Sequence, residues 1–150
     1  MKNVVSKKSN RRVSLFSRVV ALIEEARQKV ATLANIAQVY TNYEIGRQIV
    51  EEEQGGKRRA DYGKQVLIDL SSRLSSRFGR GFSVDNLQNM RSFYLAYSAI
   101  EIYETPSSKS SGENYETLSR KFTLSWSHYV LLMRISDPVE RAFYEREATQ

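Results

Sequence analysis

The stretch YGKQVLIDLSSRLSSRFGRGFSVDNLQNMRSFYLAY, residues 62–97, decides the fold. From Tyr62 to Phe78 the apolar residues Val66, Leu67, Leu70, Leu74 and Phe78 fall on one side of a helix. Gly79 stands where a left-handed residue closes a helix C-terminus. Phe78-Gly79-Arg80-Gly81-Phe82-Ser83 is then a tight, glycine-bearing turn. Ser83 follows as an N-cap, with Phe82 and Leu87 as its hydrophobic staple. A third helix runs from 83 to about 98, with Leu87, Met90, Tyr94 and Tyr97 as its buried stripe.

On the N-terminal side, Ser14 to about Gln54 is also helical. Its apolar positions are Phe16, Val20, Ile23, Val30, Leu33, Ala37 and Tyr40, continuing through Ile45 and Ile49, and Gly55-Gly56 ends the run. Some 40 helical residues span ~60 Å, whereas a compact chain of this size has a diameter near ~40 Å. The helix is therefore expected to break near Asn35 or Thr41-Asn42, or to project its first half onto a partner, which motivates a homodimer. On the C-terminal side, residues 101–122 are polar and aperiodic around Pro106 and Gly112, and read as a mobile loop, with a short hairpin as the alternative. Ser125 caps a further helix, stapled by Leu124 and Tyr129. Asp137-Pro138-Val139-Glu140 opens the last one with a cap, a proline and an acid. That helix still runs at Gln150, as in a chain cut from something longer. The expected fold is all-α, about five helices with a long first one and a helix-turn-helix-like pair at about 62–78 and 83–98. It would form one domain over 14–150 behind a disordered basic arm over 1–13.

Composition narrows the function classes. The chain has 150 residues, 41% apolar and 27% charged, as expected of one globular domain. It has no cysteine and one histidine, which excludes disulfides, thiolate or histidine metal sites and cysteine nucleophiles, and fits a reducing cytoplasm. No apolar run is long enough for a membrane span. The net charge of +6 is uneven: residues 1–23 hold six basic side chains and no acid, and residues 24–150 hold 17 of each sign. Within the neutral part, Lys57 to Arg91 carries eight basic side chains against Asp61, Asp69 and Asp85, enough for a positive patch.

Two helices around a glycine turn, the first basic and the second polar, outline a DNA-binding helix-turn-helix. Lys64, Arg73 and Arg77 would then lie near phosphates, and Arg80 and Ser83 would hold the phosphate entering at the turn. Gln88, Asn89 and Arg91 would reach base edges from the third helix. The same pattern also fits plain helix packing, so a dimerisation or protein-docking module without nucleic-acid contact is the alternative. Asp69 and Arg73 are spaced to pair with each other, and Glu51-Glu52-Glu53 reads as a solvated helix end. No residues are assigned to catalysis, metal binding or a cofactor: His128 beside Ser127 is no dyad, because neighbours on a helix diverge.

Several short motifs carry a family resemblance. Tyr43-Glu44-Ile45-Gly46-Arg47, Tyr62-Gly63-Lys64, Leu70-Ser71, Phe78 to Ser83, Asn86-Leu87, Met90-Arg91, Phe93-Tyr94 and Leu124-Ser125-Trp126-Ser127-His128-Tyr129 stand in an order that resembles the N-terminal domain of the YhcG-like bacterial family. The resemblance covers roughly residues 15–148; Tyr43 stands where a tryptophan is expected. It implies a cytoplasmic helical DNA-binding domain that normally precedes a PD-(D/E)XK nuclease-like domain. That second domain has no counterpart in this sequence, so no nuclease residues are carried over.

Overall fold

The computed structural model describes the backbone of residues 13–56, 60–104 and 121–150. The basic arm, Lys57, Arg58, Arg59 and positions 105–120 of the expected loop lie outside the described residues. Among the described residues five helices are distinguished: α1 (Leu15–Gly55), α2 (Ala60–Phe78), α3 (Val84–Glu104), α4 (Trp126–Leu132) and α5 (Pro138–Thr149). The all-α reading holds.

Two compact units are distinguished, Met1–Thr32 and Leu33–Gln150. The described part of the first is helical from Leu15 on and has no buried residue. The second contains the core.

Two expectations are corrected, and of the two alternatives for the long helix the break is not the one seen: α1 is continuous over 41 residues. Thr41 does not compete with the backbone, because its hydroxyl donates to the carbonyl of Ala37 inside the helix (2.8 Å). Its buried stripe is also not the expected one. Ile36, Val39, Tyr43, Gly46 and Val50 face the core together with Asn42 and Ile49, whereas Phe16, Ile23, Val30 and Leu33 are exposed. Finally, α3 runs on to Glu104, so residues 101–104 are helix and not loop.

The core has two parts. Val39, Tyr43, Phe93, Tyr97, Phe122, Leu124, Tyr129 and Leu132 form one, and Ile49, Leu67, Leu87 and Met90 the other. Trp126 packs against both. Phe93, absent from the expected α3 stripe, is fully buried at the centre of the aromatic part, while Tyr94 is only half-buried. The Leu124–Tyr129 staple holds, since both residues lie in the same cluster. At α5, Asp137 accepts from the Val139 amide (2.8 Å) ahead of Pro138, as the sequence indicates.

Glu145 ties α5 to the core by accepting from the phenols of Tyr97 (3.0 Å) and Tyr129 (3.4 Å). Burial, then the neighbouring carboxylate, pushes Tyr129 up to about 12 and Tyr97 well above its ordinary value of 10. Both phenols are thus held neutral in the folded chain, and the stability this confers is present below pH 10. It is lost as pH rises from 10 toward the folded values, because the unfolded chain ionises first. Denaturant melts should be unchanged from pH 8 to 9 and lose roughly 1 kcal/mol per tyrosine by pH 11. A Tyr129→Phe variant should lose less over the same interval.

Candidate nucleic-acid interface

The turn between α2 and α3 is built by local chemistry. Gly79 (φ +81°) and Gly81 (φ +107°) both occupy left-handed backbone that side chains rarely adopt. Between them Arg80 is exposed. Ser83 caps α3 as expected, its Oγ accepting from the Asn86 amide (3.1 Å). From α2, Ser71 donates to the Phe82 carbonyl (2.6 Å). From α3, the Asn86 amide group donates to the Gly81 carbonyl and accepts from the Trp126 indole N–H (3.0 Å). The turn is therefore fastened from α2, α3 and α4, and Arg80 projects from a fixed backbone.

The eight sequence-derived residues are not brought onto one surface. Arg73 and Arg77 are one helical turn apart and share an exposed face of α2 that leads to Arg80. The Arg77 guanidinium lies over the ring of Phe78, 5.3 Å from its centre, and Phe78 is itself exposed beside Phe82. Among the described residues none of Arg73, Arg77 and Arg80 has a carboxylate within ion-pair distance. The expected Asp69–Arg73 pair does not form: Asp69 accepts from Gln65 instead (2.8 Å). Lys64 is exposed but nine positions before Arg73, about half a revolution round the helix. On α3, Gln88 points outward in line with Asp85 and Ser92, whereas Asn89 and Arg91 lie on opposite flanks, about 200° apart.

Arg91 is engaged elsewhere. Its Nε donates to both oxygens of Glu53 at the end of α1 (2.9 and 2.7 Å), and both side chains are mostly covered. The three glutamates are thus not a plain solvated helix end. Glu53 holds Arg91, Glu52 accepts from the Tyr62 phenol (3.1 Å), and Glu51 pairs with Arg47 (3.2 Å). Arg47 also pairs with Glu44, which with Glu51 raises its already high pKa. Glu53 could not be found from sequence, since 38 positions separate it from Arg91 and only opposite charge links them.

His128 reaches back to its cap: Nδ1 is 2.7 Å from the Ser125 hydroxyl, at the exposed N-terminus of α4. It borders an apolar groove of about 300 Å³ lined also by Leu131, Leu132, Ile135, Tyr144 and Ala148. Among the described residues, no three His, Asp or Glu side chains are grouped to hold a metal ion, and no helix is long and apolar enough to cross a membrane.

The motifs that carry the resemblance are joined in space. Asn86, beside the glycine turn, is hydrogen-bonded to Trp126 of the Leu124–Tyr129 motif, 40 positions away. Comparison with known families agrees: the DUF1016 N-terminal domain matches residues 18–150. The chain belongs to this family. A curated relative, "Putative nuclease YhcG" of Escherichia coli (strain K12), is 39% identical over 144 residues. The match takes in 86% of this chain and 38% of that protein, so the chain spans well under half of its relative's length. No solved structure matches this DUF1016 N-terminal domain.

Proposed function

We propose that this DUF1016 N-terminal domain is a non-catalytic, cytoplasmic DNA-targeting module, which in full-length relatives delivers a nuclease-like C-terminal domain to double-stranded DNA. The observation that carries the reading is the row Arg73, Arg77 and Arg80, exposed and without carboxylate partners among the described residues, at a turn fastened from three helices. Guanidinium groups fixed in this way suit phosphate oxygens. The Ser83 hydroxyl, whose oxygen caps α3, keeps its proton for donation to the same phosphate. Gln88 is the α3 side chain best exposed for a base edge. Lys64 and Asn89 serve a second strand or none, and Arg91 contributes only by exchanging Glu53 for a phosphate.

Fluorescence anisotropy of a labelled random duplex, titrated at several salt concentrations, tests this. Three phosphate contacts give a fall of about 2.7 log units in affinity per log unit of salt, and Arg77→Ala with Arg80→Ala should remove about 1.8 of these. Arg91 is left intact, because its loss would strand the covered Glu53 carboxylate and confuse binding with stability. An unchanged slope in the folded double variant, or no binding at low salt, removes the DNA reading. The docking alternative would then stand, and its best support is the exposed apolar face of α1.

A further inference from the structure

The apolar face of α1 is organised beyond what amphipathicity requires. Phe16, Val19, Ile23, Ala26, Val30 and Leu33 recur at spacings of 3, 4, 3, 4 and 3, the heptad pattern of a coiled-coil seam and not the 3.6-residue drift of a helix lying on a globular core. Each of the six is exposed, Phe16 by 77% and Val30 by 66%. No residue of α1 before Ile36 is buried. With Leu15 and Leu22 this arc presents on the order of 800 Å² of apolar surface, the share of one partner in an interface of standard size and more than monomers usually leave open. A helical stretch of this length with no packed face is marginal in water. The seam therefore requires a cover.

We infer that the cover is the same seam of a second copy, packed antiparallel about a two-fold axis between Glu24 and Glu25. The antiparallel register sets Phe16 against Leu33, Val19 against Val30 and Ile23 against Ala26, so a large residue meets a smaller one or an equal in every layer. A parallel register would stack Phe16 on Phe16 and leave a hole at Ala26 against Ala26. Charge fits the same arrangement. The basic residues at the seam's edges, Arg27 and Lys29, fall beside Val20 and Leu22 of the other copy, where their stems cover apolar surface and like charges do not meet. Lys29 is moreover already neutralised by Glu25 within its own helix (2.6 Å). This inference stands on a surface separate from the arginine row and does not depend on DNA binding.

Sedimentation equilibrium of the full chain, from low to high micromolar, is the test. A dimer is expected, and Ile23→Asp with Val30→Asp should weaken it by roughly 100-fold or more. Both positions are exposed in one copy, so the melt of the 33–150 core should not change in that variant. Gln28→Glu, on the opposite side of the helix, should leave the dimer intact. The chain has no cysteine, so two single variants, Ile23→Cys and Ala26→Cys, report the register. Disulfides should form between the two variants when they are mixed. Crosslinking of each variant only with itself overturns the antiparallel packing. A monomer at every concentration, or a dimer indifferent to the aspartates, overturns the inference and leaves the seam to a different protein.

Discussion

Phe93→Ala is expected to cost about 4 kcal/mol, a large share of the roughly 5–15 kcal/mol by which a folded domain is stable. Phe93 has no exposed surface and stands among five other rings. Tyr97, Tyr129, Phe122, Trp126 and Tyr43 have their centres 4.7, 4.9, 5.3, 5.3 and 5.9 Å from its own, all tilted or edge-on. Truncation removes the transfer energy of the ring and leaves a cavity that rigid aromatic neighbours cannot refill. Urea denaturation followed by circular dichroism gives the loss directly. Phe93→Leu, which keeps more of the volume, should cost less than half as much. A cost near 1 kcal/mol for alanine would mean that the rings can close over the gap, contrary to their interlocked geometry. The result matters for function because Phe93 and Gln88 share α3. An apparent DNA-binding defect in any α3 variant has to be read beside its melt.

What the sequence made legible follows the range of the forces involved. The caps at Ser83 and Asp137, the left-handed Gly79, and the stapling pair Leu124 and Tyr129 are contacts within a few residues, and each was readable from spacing. The buried face of α1 was not, because both of its candidate stripes are apolar. The one that reaches the core contains Asn42 and Gly46, which a hydrophobicity pattern discounts. Phe93 and Tyr94 are adjacent, and periodicity alone assigned the inward position to the wrong one. At the candidate interface the arginines could be named, but not sorted. Their partners decide which are available, and the Arg91–Glu53 and Asn86–Trp126 contacts span 38 and 40 positions. Many residues behind the family resemblance, among them Tyr43, Gly46, Ser83, Asn86 and Trp126, cap, pack or fasten helices. Their match to a family therefore identifies the fold more firmly than the ligand.

Gly46→Ala should destabilise the domain by about 2 kcal/mol, although alanine is the better helix former by about 1 kcal/mol. Gly46 is buried in α1 where it crosses α3. A Cβ built there would lie far inside contact distance of the Met90 carbonyl and 3.0 Å from the Tyr94 Cβ. The nearer obstacle is backbone, which cannot swing aside as a long side chain can, so α1 and α3 have to separate. Glu53 lies two helical turns further along the same side of α1, so that separation should also lengthen its contacts with Arg91. Gly55 provides the control. It lies at the end of the same helix with nothing within 4 Å of an added Cβ, and Gly55→Ala should be neutral or stabilising by a few tenths of a kcal/mol. Denaturation of the two variants in parallel separates propensity from packing, since both make the same chemical change in one helix. Opposite signs would establish that α1 and α3 meet backbone to backbone at Gly46. A Gly46→Ala protein as stable as Gly55→Ala would mean that the two helices are free to move apart, and that Arg91 is held less firmly than its two hydrogen bonds to Glu53 indicate.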